Sequence, residues 1–288
     1  QERLGYSKDT KLLIIHADDL GVSQSENAAS IYAMEKGSIS SGSIMMPCPW
    51  AGDIAAYARS HPNIDLGLHL TLTSEWKYYK WGTVAPANET SSLVNKDGHF
   101  YSDMDSLSKN ARLFEVEKEI RAQVDKAKHF GIDPTHLDAH MGCLFASPDY
   151  LQLLIKLGRE YKVPVLLNSE AFKVVFNIDL SKYISDKEVL VDKLFMAQPG
   201  DYKNGMSKYY TSVLTSIQPG LNCILLHAAY DNAEMEAVTI DHPDYGSAWR
   251  QADFNFFTST RCRDLLRQQK IKVITWKEIR DKLIRTNP

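Results

Sequence analysis

"LLIIHADDLG", residues 12–21, runs four apolar residues into a histidine and two adjacent aspartates, then turns on a glycine. An uninterrupted apolar run of this length, closed by a turn residue, predicts a strand buried on both faces. The pattern recurs along the chain. Short apolar runs predict strands at 11–16, 40–46, 64–71, 136–139, 163–167, 222–227 and 272–275. Between them, 25–36, 50–60, 113–129, 148–161 and 252–268 have helical character, with Gly37 and Gly131 as the clearest stops. This alternation predicts a parallel sheet wrapped by helices, either a barrel or an open doubly wound sheet, and we read the fold as α/β with barrel-like closure, one domain over residues 1–288.

Composition narrows the function. With 44% hydrophobic and 24% charged residues in 288, the chain can bury a large core, and disorder is excluded. The balance of 33 basic against 36 acidic residues, with no lysine or arginine run, leaves no stripe that would track phosphates, so no nucleic acid partner is expected. Cys48, Cys143, Cys223 and Cys262 are too widely spaced for a zinc knuckle or a small disulfide scaffold. No apolar run approaches the roughly 18 residues that would span a bilayer, so no transmembrane segment is expected. The opening Gln1 in place of methionine favours a periplasmic or secreted location over a cytoplasmic one.

One stretch breaks the alternation. Residues 73–101 are rich in aromatics, glycine, proline and small polar residues, and read as a long loop after a strand. Trp76, Tyr78, Tyr79 and Trp81 are either exposed platforms for sugar rings or anchors that pin the loop to the barrel rim.

In parallel α/β architectures ligands bind at the carboxyl ends of the strands. Asp18 and Asp19, His69, His140 and His227 stand at the ends of four separate predicted strands. Taken singly they are ordinary: Asp19 could be a turn residue, and His69, between Leu68 and Leu70, a core histidine. Together they are not, because unpaired polar groups at the edge of a core cost stability. His136 and His140 are four apart, but Pro134 and Gly142 argue against a helix there. In an extended segment His136, Asp138 and His140 share one side, so that one orients another rather than all three ligating. An Asp-His-His set leaves coordination positions open on one divalent metal ion, Zn2+ on ligand grounds, which would polarise a carbonyl and acidify water. The neighbouring aspartate, Asp18, is then free to act as a general base.

The segments at 12–46, "LGLHLTLT", "PTHLDAHMG" and "LLHAAYDN", in this order and spacing, resemble the YdjC-like family, whose members include chitooligosaccharide deacetylases. The resemblance runs from Lys11 to about Ile279. It implies a distorted (β/α) TIM-like barrel and metal-dependent removal of acetyl groups from N-acetylated carbohydrates, with Mg2+ as an alternative to Zn2+. It implies, too, that Asp19, His69 and His140 hold the metal, that Asp18 is the base and that His227 is a general acid on the leaving amine. Arg250 resembles a family arginine that holds Asp18 or a substrate group. Trp76 and Trp81 are expected to contact the substrate, an N-acetylated sugar or oligosaccharide, and a homodimer is compatible with this reading. Met141 and Gly142 stand where the family often has further histidines, and Leu166 or Leu167 where some relatives have an arginine, so substrate contacts made there would be missing. Two rivals come from other classes: a metal-independent glycoside hydrolase, and a sugar-binding protein without catalysis. Adjacent Asp18 and Asp19 fit the first poorly, since it needs carboxylates on different strands.

Overall fold

The computed structural model describes residues 1–286. Seven strands, β1 (Lys11–Leu20), β2 (Ser41–Ile44), β3 (Leu66–Leu70), β4 (Leu137–Ala139), β5 (Lys193–Met196), β6 (Gly220–Leu226) and β7 (Ile271–Val273), make one sheet. Every pairing is parallel, in the order β4-β3-β2-β1-β6-β5. The long central strand β1 carries β6 along one edge; its other edge is shared by β7 at Lys11–Leu13 and β2 from His16 onward. The sheet curls, and irregular backbone spans the gap between its ends. Leu137 N–H donates to Pro164 O, Leu166 N–H to Leu137 O, and Val191 N–H to Leu167 O just ahead of β5. The result is a distorted α/β barrel: the alternation of elements favours barrel closure, and the resemblance implies its distortion.

Strand alternation sorts side chains between two surfaces. On β1, Leu13, Ile15 and Ala17 pack in a cluster with Ala33 and Phe257 from the surrounding helices. Leu12 and Ile14 instead join Leu166, Val191, Leu221, Cys223, Ile274 and Trp276 in a separate apolar floor inside the curl. Next on that inner side come His16 and Asp18. The interior therefore changes from apolar to ionisable along a single strand.

Two expectations need correction, and one strand lies outside them. Residues 163–167 form no strand beyond a Leu137–Val165 bridge, because Pro164 has no N–H to continue a ladder. The element opposite, β5, is absent from the predicted strands: its apolar run, residues 194–197, is short, and none of the strand's four residues is buried, two being exposed and two half-buried. The predicted helix 252–268 is two helices, Ser247–Phe257 and Thr260–Gln268, because Ser259 caps the second through Cys262 N–H.

Candidate active site

The strand at "LLIIHADDLG" does not stop at His16 but continues to Leu20, so both aspartates lie within β1. Strict alternation would send Asp18 and Asp19 to opposite faces. The pairing with β2 slips between Ala17 and Leu20, where three steps on β1 match two on β2. This β-bulge, with Asp19 in the left-handed region at φ 65°, turns both carboxylates to the inner side. A buried non-glycine residue at positive φ is a strained arrangement of the kind found at functional sites. Gly21 follows at φ 91°, its N–H bound by Asn27 Oδ1, which closes the turn into the helix Gln24–Lys36.

Asp19 Oδ1 points between two imidazoles. It lies 3.4 Å from His69 Nε2 and 3.3 Å from His140 Nδ1, is buried, and has no hydrogen-bond partner among the described residues. Donor atoms sharing one ion at about 2.0–2.2 Å in a tetrahedral set are about 3.3–3.5 Å apart, so these three fit a common divalent ion. The far nitrogen of each imidazole is held by a carboxylate: His69 Nδ1 donates to Asp138 Oδ1 at 2.7 Å, and His140 Nε2 to Glu75 Oε2 at 3.0 Å. Such partners fix ring orientation and tautomer in metal sites. Burial lowers the proton affinity of both rings, but the surrounding carboxylates prevail. Asp138 and Asp18 raise the pKa of His69, and Glu75 and Asp19 raise that of His140 to about 10. The negative potential that draws protons onto these rings equally favours a divalent cation, which would displace them.

Asp18 sits on the other side of His69, its Oδ1 3.7 Å from Nδ1. That oxygen also accepts from Ser43 Oγ at 3.3 Å and lies 3.0 Å from His16 Nε2. His16, fully buried, bridges Asp18 and Asp138. Opposed by burial but favoured by hydrogen bonds to Asp138 and Asp18, its pKa stands at about 10. His136 shares the inner side with Asp138 and His140, as the extended reading requires, but lies lower. Its ring stacks on Trp276 and sits against Gly67, where any Cβ would lie 2.3 Å from it, so only glycine fits beside His69 in "LGLHL". His136 Nε2 reaches no closer than 3.7 Å to Asp138, and no polar group completes its bonding.

Arg250 is spent inside the protein. Its guanidinium donates to Asp19 Oδ2 at 2.8 Å, Glu26 Oε2 at 3.0 Å and Tyr245 O at 2.7 Å, and the residue is 2% exposed. The expectation that it holds Asp18 or a substrate group is corrected: it holds Asp19. The arginine also keeps Asp19 strongly ionised against the penalty of burial. The aromatic loop is corrected in the same way. Trp76 and Trp81 are 2% and 3% exposed and pack edge-to-face, Trp76 beneath Arg250 and Trp81 with its Nε1–H on Thr73 O. They anchor the loop rather than offer a platform; of the four aromatics only Tyr78 is exposed. His227 does enter the site, its Nε2 3.8 Å from Asp19 Oδ2. Burial, reinforced by Arg250 and opposed by Asp19, brings its pKa down to about 4.

Asp18, Asp19, His69, Asp138, His140, His227 and Arg250 thus converge, while two contributors lack a functional reading in the sequence. His16 shares the parity of Asp18 on β1, a signal that could have found it. Glu75 lies in a loop with no periodicity, and nothing local marks it.

The chain is similar to known proteins along nearly its whole length. The chain is 29% identical over 286 residues, 98% of each chain, to a protein of Thermus thermophilus named carbohydrate deacetylase. It is 30% identical over 166 residues, 57% of this chain and 62% of the other, to a chitooligosaccharide deacetylase of Serratia marcescens. The crystal structure of a candidate cellobiose-phosphate cleavage protein from Enterococcus faecalis V583 superposes with a TM-score of 0.78 at 21% identity, covering 94% of this chain and 99% of that one, and shares the fold. The family model for YdjC-like proteins matches residues 12–268, so the chain belongs to the YdjC-like family.

Proposed function

We propose that the protein is a divalent-ion-dependent carbohydrate deacetylase, hydrolysing the acetamide of an N-acetylated sugar to acetate and an amino sugar. The observation that carries this reading is the convergence of Asp19, His69 and His140 around the unpartnered Asp19 Oδ1, with Asp18 and His227 alongside. The names of the relatives from Thermus thermophilus and Serratia marcescens support the substrate class.

A divalent ion held by Asp19, His69 and His140 would supply Lewis-acid activation of the acetyl carbonyl and of water. Asp138 and Glu75 keep the two imidazoles aimed. Arg250 holds Asp19 through Oδ2 and leaves Oδ1 free to ligate. Asp18, with Oδ1 tied to His16 and Ser43, takes the proton of the attacking water on Oδ2. His227 rests neutral, since its pKa is about 4, and relays to the departing nitrogen the proton that Asp18 has taken from water, which returns Asp18 to its carboxylate form. The proton released by water thus ends on the amine.

The test is acetate release from N-acetylated chitooligosaccharides by the ion-loaded protein, after chelation, and after re-addition of Zn2+ or Mg2+. Activity that disappears with chelator and returns with ion is expected. Undiminished activity in a protein shown to be ion-free would overturn the reading.

A further inference from the structure

We propose that His16 is a positioning residue of this reaction, a buried cationic tie that locks the base Asp18 to Asp138, the carboxylate that aims His69. The inference rests on the deacetylase reading for its kinetic consequences and on hydrogen-bond geometry for the tie itself.

The accounting begins at Asp65. Its Oδ1 accepts from Ser41 Oγ at 3.0 Å and Thr135 Oγ1 at 2.6 Å, and its Oδ2 from Lys277 N–H at 2.7 Å. Ser41 has therefore given its only hydroxyl proton to Asp65. Toward His16 Nδ1, 3.0 Å away, Ser41 can only accept, so Nδ1 carries a proton. At the opposite edge of the ring, Nε2 lies 3.0 Å from Asp18 Oδ1 and 3.0 Å from Asp138 Oδ2. Both are acceptors, and Ser43, 3.1 Å from Nε2, directs its own proton to Asp18. Nε2 carries a proton too. Both nitrogens donate, and the ring is an imidazolium. The high proton affinity that its two carboxylates confer agrees with this.

The position explains the need. Asp18 and Asp138 both face His69 Nδ1, and without a cation between them two buried like charges would repel. Arg250 cannot serve, because it is committed to Asp19 and Glu26. With Asp18 Oδ1 and Asp138 Oδ2 pinned from below by one ring, Asp18 Oδ2 is left for the substrate side and Asp138 Oδ1 for His69. His16 touches neither substrate nor ion; it acts through these two carboxylates.

The test compares the ion-loaded parent with His16→Gln, whose amide can donate to one carboxylate but brings no charge. In the parent, NMR should show protons on both ring nitrogens of His16 at pH 8. The variant should lose about 10- to 100-fold in kcat, the usual effect of removing an orienting partner, with KM and ion content within about 2-fold. A single ring proton at pH 8, an unchanged kcat in the folded variant, or a loss carried by KM alone would overturn the proposal. Where His16→Gln does not fold, the ring protons of the parent at pH 8 decide the tie alone: two confirm it and one rejects it. A parent that releases no acetate would count against the deacetylase reading instead, and the ring protons would still decide whether His16 is the cationic tie.

Discussion

The lower half of β1, Leu12 to Ile15, and its upper half, His16 to Leu20, run through the same curl of strands and are equally buried. Below, Leu12 and Ile14 contribute to an apolar floor held by dispersion and exclusion of water. Above, every inward side chain is ionisable. Burying such groups is tolerable only if they are paired, and here nearly all are: His16 with Asp18 and Asp138, Arg250 with Asp19 and Glu26, His140 with Glu75. The exception among the carboxylates facing the two imidazoles is Asp19 Oδ1. A strand satisfied throughout would only be stable; one oxygen left without a partner among donor nitrogens makes a place for a cation.

That contrast can be broken most severely at Asp19. Asp19→Ala removes the oxygen between His69 and His140, and stoichiometric ion and acetate release should both fall to background, measured by elemental analysis beside the assay. A folded variant that keeps one ion per chain would move the site elsewhere. Asp18→Asn should separate the two aspartates. The amide keeps the shape but cannot take a proton, so turnover should drop about 10²- to 10⁴-fold while ion content holds. If ion content falls in parallel, Asp18 is a ligand and the division of labour fails.

A milder perturbation is pH. His69 and His140 both have raised proton affinity in the ion-free fold, His140 to about 10, so below that pH an ion must displace protons from the rings it uses. The sign follows: lower pH favours protonated rings and weakens the ion. Each displaced proton contributes about tenfold per pH unit, so affinity between pH 8 and pH 7 should fall by about 10- to 100-fold. Titration calorimetry in two buffers of different ionisation enthalpy would count the protons released. Affinity that does not change with pH would mean that the imidazoles are already neutral or are not ligands.

The legibility of this molecule follows the same division. The apolar runs of β1, β3 and β6 and the histidines or aspartates closing them were readable, because a buried parallel strand needs uninterrupted apolar residues and any polar residue at its end stands out. The convergence of Asp19 and His69 is written in those positions, and His140 closes β4 in the same way. What the sequence hid depends on distance along the chain or on local irregularity. The bulge at Asp19 lies in backbone dihedral angles, and β5 pairs as a strand on a short apolar run whose side chains stay exposed or half-buried. Glu75 meets His140 across 65 residues, and Arg250 meets Asp19 across 231. Trp76 and Trp81 misled because aromatics in a polar loop look alike whether they face solvent or pin the loop down.

The smallest effect on chemistry should come from the lower half of the strand. Ile14 is fully buried in the floor, two residues before His16 on the same side of β1. Ile14→Ala deletes three carbons there and leaves a cavity, which should cost about 2–5 kcal/mol of stability, read as a lower Tm. If the floor only supports the site, the hydrogen bonds of His16 to Ser41, Ser43, Asp18 and Asp138 should survive the cavity, because each is made sideways or upward and none rests on the Ile14 side chain. At a temperature where the variant remains folded, kcat and ion affinity should then stay within about 2-fold of the parent. A loss of kcat beyond about tenfold, with ion still bound, would show that the floor sets the height of His16 and that the two halves of β1 are one mechanical unit. Restoring the lost volume with Ile14→Leu would distinguish that case from simple destabilisation, because it refills the cavity without adding a polar group.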